Sequence, residues 1–167
     1  MTHHPLPIAI TPGDPCGIGP EIIARAWRDA PEVTRHCFVA GDVGLMRRAM
    51  ALVQPAPAFP ICEISAPSEA MALAPHCLPV LQVVPQAPVL PWGQVDARAG
   101  QLAGEAVLWA TRAALRGEVA ALVTAPLHKE ALHAAGRRTT STRGTPNCCR
   151  PKPLDMRVCR WRRCRCA

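Results

Sequence analysis

The sequence predicts an α/β protein in which helices pack on the faces of a sheet. Short apolar runs bounded by Gly or Pro recur along residues 1–136, as expected of buried strands. Longer segments with apolar residues at helical spacing lie between them. Alternation of these two kinds of segment favours an α/β sheet over a helical bundle or an all-β domain.

The elements are predicted in chain order from these runs and their boundary residues. Pro20, after Gly17 and Gly19, suits the first turn of a helix that continues through Trp27. Gly117 and Gly136 suit helix ends. Strands are predicted at Pro7–Thr11, Cys37–Ala40, Ile61–Ile64, Leu78–Val84 and Val119–Thr124, and further helices at Val43–Leu52, Gln101–Arg116 and Leu127–Ala135.

The composition divides the chain into a body, residues 1–136, and a tail, residues 137–167. The tail holds ten basic residues and one acid, which gives it a net charge of +9. Because the whole chain has a net charge of +7, the body carries −2. The body therefore resembles an ordinary mildly acidic enzyme and gives no sign of a nucleic-acid partner. The tail lacks apolar periodicity, and we expect it to be disordered.

The cysteines and the apolar runs bear on the compartment. Cys16, Cys37, Cys62 and Cys77 stand singly in the body, beside apolar residues, and are predicted to be buried reduced thiols. No apolar run approaches the length of a membrane span, and the start of the chain has no secretory signal pattern. These observations predict a cytoplasmic protein with no membrane partner.

The first motif is ITPGDPCGIGPEI, residues 10–22. It reads as a strand, a glycine-bearing turn and the start of a helix, whose free N–H groups favour an anion. Gly17 and Gly19 permit close approach to a ligand, and Asp14 adds a carboxylate. A purely structural turn explains the same spacing. The pattern is not the GxGxxG dinucleotide fingerprint, because Ile22 stands where the third Gly is needed.

The second motif is LVTAPLHKEAL, residues 122–132. It places Thr124, His128 and Lys129 between the carboxyl end of a strand and the next helix, where open α/β sheets bind ligands. Lys129 is suited to neutralising a phosphate, and His128 to hydrogen bonding or proton transfer. A capped helix with a solvated lysine and a surface histidine is the alternative that spacing leaves open.

The two motifs, in this order, resemble the 4-hydroxythreonine-4-phosphate dehydrogenase family over residues 6–136. The first also resembles the glycine turn of isocitrate and isopropylmalate dehydrogenases. The resemblance implies an incomplete isocitrate/isopropylmalate-dehydrogenase-like α/β fold. It implies a homodimer that oxidises a phosphorylated hydroxy amino acid with NAD in pyridoxal phosphate synthesis. Relatives that act on other phosphorylated four-carbon acids leave the exact substrate open.

The resemblance also implies a divalent metal, held by three histidines, that polarises the oxygen being oxidised. Asp14, Gly17 and Gly19 are expected to shape the active-site floor or the cofactor cleft, and Thr124, His128 and Lys129 to lie at the substrate end. No residue of this chain is assigned a catalytic or metal-ligating role, because the family's substrate and metal histidines lie after His133, where this chain has none.

The chain departs from the family after Gly136. A GHTE motif is expected there, but the sequence reads GRRTTSTRGTPNCCR. Codons for residues 144–149, read two bases further on, can spell His-Thr-Glu-Leu-Leu after a Gly codon. A frameshift near Gly136 would also explain the enrichment in Arg and Cys. We therefore expect a truncated, out-of-frame dehydrogenase without activity of its own.

Two other interpretations of the chain remain. If the tail is taken as genuine, its arginines and the cysteines Cys159, Cys164 and Cys166 suggest a basic-tailed metal- or nucleic-acid-binding protein. Against this, the cysteines form no CxxC pair and the tail contains no histidine. The other interpretation is a non-catalytic subunit or a remnant that binds NAD.

Overall fold

The computed structural model describes residues 5–74 and 76–136. These residues form a single parallel sheet of five strands, with the order β3-β4-β2-β1-β5. This confirms the α/β class. The expected disorder of residues 137–167 lies outside the described residues. The strands are β1 (Ile8–Thr11), β2 (Cys37–Gly41), β3 (Ile61–Ile64), β4 (Leu78–Gln82) and β5 (Ala121–Thr124).

All five predicted strands are present, with ends that differ by a few residues. The helices are α1 (Gly19–Asp29), α2 (Pro31–Thr34), α3 (Val43–Val53), α4 (Ala97–Leu115) and α5 (Lys129–Ala134), with a 3₁₀ turn at Pro67–Ala72. Neither α2 nor the 3₁₀ turn was predicted from the sequence. The predicted start of α4 was too late, because Asp96 caps this helix by accepting a hydrogen bond from the Arg98 amide.

The core lies in two layers, one on each face of the sheet. On one face, α1 and α3 bury Trp27 and Met46 against Val39 and Val80. On the other, α4 buries Ala110 against Phe38, and the Phe38 and Trp109 rings meet edge to face with centroids 6.4 Å apart. Helices on both faces are what a parallel sheet requires, since its strands are apolar on both sides.

Helix α5 packs against α4 at Gly100, which has no side chain. A Cβ atom at Gly100 would lie 2.0 Å from the Ala131 carbonyl oxygen. The backbones of the two helices therefore approach closely only because residue 100 has no side chain. This contact fixes α5, and with it the second motif, against the body of the fold.

The prediction of four reduced thiols is wrong for two of them. The structure joins Cys62 to Cys77 in a disulfide, with Cα atoms 6.3 Å apart. Parallel pairing of β3 with β4 sets Ile61 opposite Leu78, which brings the two cysteines into reach across adjacent strands. Cys16 and Cys37 are free and buried, as predicted. Within the described residues, no helix has the length and apolar character needed to cross a membrane.

Candidate functional site

The candidate site lies at the carboxyl edge of the sheet, where parallel strands all end together. β1 lies beside β5, and Thr11 is opposite Thr124 in the parallel register. The glycine turn of the first motif follows Thr11, and the second motif runs on from Thr124. The strand order therefore brings together two motifs that lie about a hundred residues apart in the chain.

The two loops contact each other through their backbones. Gly13 has φ of 70° and lies so close to the second loop that a Cβ atom would be 2.3 Å from the Pro126 carbonyl oxygen. The Asp14 amide donates a hydrogen bond of 3.0 Å to that same oxygen. A side chain at position 13 would be excluded both by the backbone conformation and by the space.

Gly17 and Gly19 have different roles in the turn. A Cβ atom at Gly19 would lie 2.2 Å from the Pro12 carbonyl oxygen and 3.2 Å from the Ala125 side chain. At Gly17 the nearest atoms would be 3.5 Å away, at Asp14, which is ordinary contact. The fold therefore requires glycine at 19 and does not require it at 17.

The Asp14 carboxylate is occupied within its own turn. The side chain is buried, and its Oδ1 atom accepts a hydrogen bond of 3.0 Å from the Cys16 amide. The Asp14 carbonyl oxygen accepts another from the Gly17 amide at 3.0 Å. Asp14 thus holds the shape of the loop that follows β1.

The amino end of α1 has no capping side chain. Its N-cap residue, Ile18, makes no side-chain hydrogen bond to the helix, and Pro20 lies in the first turn. The amides of this turn therefore lack a capping side chain, and the helix dipole adds partial positive charge. Glu21 lies in this turn but pairs with Arg25 at 2.8 Å on the helix surface.

The second motif presents one side chain that caps a helix and two that are exposed. His128 is the N-cap of α5, and its Nδ1 atom accepts a hydrogen bond of 3.4 Å from the Ala131 amide. This is the capped-helix role that the sequence left open. Thr124 and Lys129 are exposed at the same edge. Thr124 and Lys129 are therefore both accessible to a substrate in solution, and Lys129 is the one that carries a positive charge.

The structure adds polar residues that the sequence analysis did not single out. Asp42 follows β2, is buried, and caps α3 by accepting from the Leu45 amide at 2.8 Å. Its other carboxylate oxygen accepts from Gln82 Nε2 at 3.0 Å, and Gln82 Oε1 accepts from the Val43 amide at 2.8 Å. The acidic residue just before a helix was a signal for Asp42, whereas Gln82 required knowledge of the strand order.

Thr11 is a third residue that was not singled out from the sequence. Its side chain is fully buried at the end of β1, and its hydroxyl has no hydrogen-bond partner among residues 5–74 and 76–136. Such a hydroxyl ordinarily acquires a partner, through water or a neighbouring group. Thr11 lies opposite Thr124, so this polar atom is part of the same edge.

A cavity of about 310 Å³ opens beside the amino end of α1 and is lined by Cys16, Gly17, Ile18, Glu21, Leu52, Trp92 and Gly93. Arg48 stacks on the Trp92 ring at 3.9 Å and donates to the Leu90 carbonyl oxygen at 2.8 Å. The Gly93 amide donates to the Cys16 carbonyl oxygen at 2.7 Å. The irregular segment before α4 is thus tied to the first motif.

Local charges and burial perturb two groups near this cavity. Burial raises the pKa of the Cys16 thiol, and the nearby carboxylates of Asp14 and Asp96 raise it further. The Arg98 side chain and amide donate to Asp96 and lower the pKa of that carboxyl to about 2. Cys16 is therefore protonated at neutral pH and is not an activated nucleophile.

The described residues do not form a metal centre. In residues 5–74 and 76–136, no three His, Cys, Asp or Glu side chains are grouped so that they could hold a metal ion. The carboxyl edge can therefore orient an anionic ligand through amides and Lys129, but these residues alone supply no Lewis acid.

Comparison with known proteins identifies the relatives of this arrangement. Residues 33–145 match the family described as pyridoxal phosphate biosynthetic protein PdxA. A D-threonate 4-phosphate dehydrogenase from Pectobacterium atrosepticum is 42% identical over 130 residues, which are 77% of this chain and 39% of that protein. A 4-hydroxythreonine-4-phosphate dehydrogenase from Trichlorobacter lovleyi is 38% identical over 132 residues, 77% of this chain and 38% of the relative.

A solved structure gives the same answer. The crystal structure of a 4-hydroxythreonine-4-phosphate dehydrogenase from Klebsiella pneumoniae superposes with a TM-score of 0.69 at 37% identity, over 81% of this chain and 41% of that one. The chain thus spans about two fifths of the length of the relatives it matches. Both the sequence and the three-dimensional arrangement of the body are those of one family.

Proposed function

This chain belongs to the pyridoxal phosphate biosynthetic protein PdxA family, and from that premise we propose that it carries the phosphate-facing part of an NAD-dependent dehydrogenase. The substrate of the complete fold is 4-phosphohydroxy-L-threonine, oxidised in the synthesis of pyridoxal 5'-phosphate. The observation that carries the proposal is the hydrogen bond from the Asp14 amide to the Pro126 carbonyl oxygen, which locks the two motif loops into one surface.

The surface suits one end of a phosphorylated hydroxy acid. The amides at the start of α1, which no side chain caps, and the exposed Lys129 ammonium both favour a phosphate or carboxylate. His128 Nδ1 is engaged as the cap of α5, so its other ring nitrogen is the one left for a substrate oxygen. Gly17, which the fold does not require, leaves room for a ligand beside the helix start.

A second substrate is supported by a specific observation. The D-threonate 4-phosphate dehydrogenase of Pectobacterium atrosepticum is 42% identical over 130 residues, a little more than the 38% of the 4-hydroxythreonine-4-phosphate dehydrogenase from Trichlorobacter lovleyi. D-threonate 4-phosphate is also a phosphorylated four-carbon acid. Both substrates would engage the same helix start and Lys129 through their phosphate.

The cofactors of the complete fold are only partly accommodated by the described residues. Bound NAD would accept the hydride removed from the substrate's hydroxyl-bearing carbon. The glycine turn is compatible with such a ligand but lacks the third Gly of a dinucleotide fingerprint. The residues do not fit the divalent metal, since those described contain no suitable group of side chains. No step is therefore assigned to a metal on this chain.

We propose that this chain is inactive by itself. The described part has no metal group, the sequence has no histidine after His133, and the matched region corresponds to 39% of its relative. The out-of-frame origin of residues 137–167 is part of the same proposal. Localisation in the cytoplasm and assembly as a homodimer also remain proposals, based on the family.

The test is NADH formation, measured by absorbance, with either phosphorylated acid as substrate. The chain as written should give no turnover. A chain encoded after a single-base restoration near codon 136, so that GHTELL and the following frame are read, should reduce NAD with at least one of the two substrates. Turnover by the chain as written, or a restored frame that lacks family-like sequence, would contradict the proposal.

A further inference from the structure

Cys62 in β3 and Cys77, the residue before β4, are held close together by the backbone as well as by their disulfide. Ile61 is opposite Leu78 in the parallel register, and the Leu78 amide donates a hydrogen bond of 3.0 Å to the Pro60 carbonyl oxygen. The two cysteine Cα atoms lie 6.3 Å apart, within the ordinary range for a disulfide. Because strand pairing sets this separation, the sulfur–sulfur bond can open or close while both strands stay in place.

The segment that the disulfide closes is also anchored by its own side chains. Ile64 and Ala70 are buried in the same core layer as Phe38. The Ser65 amide donates a hydrogen bond of 3.1 Å to the Glu69 carboxylate. None of these contacts involves sulfur. We therefore expect the reduced chain to keep the fold of this segment, although its unfolded state is less constrained.

The two sulfurs of the disulfide differ in their access to solvent. Cys62 is half-buried, whereas Cys77 is only 7% exposed. Thiol–disulfide exchange proceeds by direct attack on a sulfur atom, so its rate depends on which sulfur can be reached. A thiol or disulfide from solution therefore meets the Cys62 sulfur first, and Cys77 acts as the internal partner.

A third sulfur lines the same small cavity as Cys77. Cys37, the first residue of β2, contributes to this cavity together with Trp27 and Thr34. Its thiol is buried and donates to the Val33 carbonyl oxygen at 4.0 Å. Burial raises the pKa of the Cys37 thiol, so this thiol is protonated at neutral pH and is a poor nucleophile. Cys37 is therefore not suited to open the disulfide from within the fold.

We propose that Cys62 and Cys77 form a reversible oxidation site, which a small-molecule disulfide closes and a thiol opens. In closing, the Cys62 thiolate attacks one sulfur of glutathione disulfide, and one glutathione thiolate leaves. The Cys77 thiolate then attacks the Cys62 sulfur of this mixed disulfide, and the second glutathione leaves. The two cysteine thiols lose two protons and two electrons, and the oxidant is reduced to two glutathione molecules. The inference does not depend on the proposed dehydrogenase activity.

The test uses a full-length 167-residue chain that keeps only the four cysteines of the body, with serine in place of Cys148, Cys149, Cys159, Cys164 and Cys166. After reduction, glutathione disulfide should close the Cys62–Cys77 bond, and dithiothreitol should reopen it without denaturant. Trypsin leaves both cysteines in the peptide of residues 49–98, which has no Lys or Arg before its last residue. The closed peptide is therefore lighter by two hydrogens, and cleavage after Glu63 separates the two sulfurs.

Single variants of that chain test the order of attack. Cys77→Ser should take up one glutathione at Cys62. Cys62→Ser should react at Cys77 on the order of tenfold or more slowly, because the Cys77 thiol is buried. Cys37→Ser is the matched control and should close the Cys62–Cys77 bond at the rate of its parent. Equal reactivity of the two single thiols would overturn the proposal, as would a Cys37–Cys77 bond or a disulfide that opens only in denaturant.

The stability of the two redox states provides an independent readout. The bond joins residues with a sequence separation of 15, so closing it should raise the melting temperature on the order of 10 °C by restricting the unfolded chain. Circular dichroism of the reduced and oxidised chains should agree below the transition. Loss of secondary structure on reduction, or equal melting temperatures, would contradict a site that closes on an already folded chain.

Discussion

The Asp14 amide donates its hydrogen to the Pro126 carbonyl oxygen across 3.0 Å, and this bond joins the loop after β1 to the loop after β5. The same oxygen lies against Gly13. This carbonyl therefore helps to set the spacing of the two motifs, and the close approach depends on the absence of a side chain at position 13.

Gly13→Ala should destabilise the protein by about 3 kcal/mol or more. The variant combines a left-handed backbone, which costs roughly 1–2 kcal/mol for a non-glycine residue, with a clash against Pro126. Gly93→Ala is the matched control, because Gly93 has a similar φ of 73° but open space around it. It should cost only the backbone term. Equal losses in the free energy of unfolding, measured in urea, would contradict the close approach.

Gly19→Ala and Gly17→Ala should differ in their effect on the stability of the fold. Gly19→Ala brings a Cβ atom to 2.2 Å from the Pro12 carbonyl oxygen, so unfolding should become easier by about 1–3 kcal/mol. Gly17→Ala meets only ordinary contacts and should leave the unfolding midpoint nearly unchanged. If Gly17→Ala instead lowers the midpoint as much as Gly19→Ala, the assigned roles of the two glycines are wrong.

Asp42 and Gln82 should be energetically coupled. The Gln82 side chain donates a hydrogen bond to the Asp42 carboxylate. Each of the two side chains also accepts a hydrogen bond from an amide in the first turn of α3. Asp42→Ala should cost about 1–2 kcal/mol through the lost helix cap. A double-mutant cycle with Gln82→Ala should give a coupling of roughly 0.5–3 kcal/mol. Strict additivity of the two losses would show that the hydrogen bond contributes nothing to stability.

The stabilisation contributed by Asp96 should be lost in acid. Its folded pKa of about 2 lies below the unfolded value of about 3.9, so its contribution is present above about pH 4 and disappears as the pH falls towards 2. Asp96→Asn keeps a capping side chain but does not titrate. The stability difference between the native chain and this variant should therefore shrink over that range. A carboxyl carbon titration by NMR with a midpoint near 4 would exclude the shift.

The sequence was sufficient for the strands, because each is a short apolar run bounded by Gly or Pro. It was less accurate at helix starts, where single side chains decide the boundary. Asp96 starts α4 before the predicted position, and His128 caps α5 and delays it to Lys129. These capping residues were visible in the sequence, but nothing in the spacing said that they would be used.

Relationships between distant segments required the structure. The sequence predicted that both motifs follow strands, but its patterns did not indicate which strands are neighbours in the sheet. β1 and β5 are neighbours, and this places Gly13 on Pro126. The same limitation explains the missed disulfide, since Cys62 and Cys77 are brought together only by the pairing of β3 with β4. Gly100 was not recognised as marking a close approach, because the predicted helix began one residue later, at Gln101.

The most direct test of the account is kcat/KM for NADH formation by the frame-restored chain, with and without Lys129→Ala. Loss of one charge-assisted hydrogen bond to phosphate should lower kcat/KM on the order of tenfold to a hundredfold, chiefly by raising KM. Arg112→Ala, which removes an exposed cation in the last turn of α4, should leave it near the starting value. If Lys129→Ala is as active as the frame-restored parent, the second motif does not face the substrate phosphate and the central claim fails.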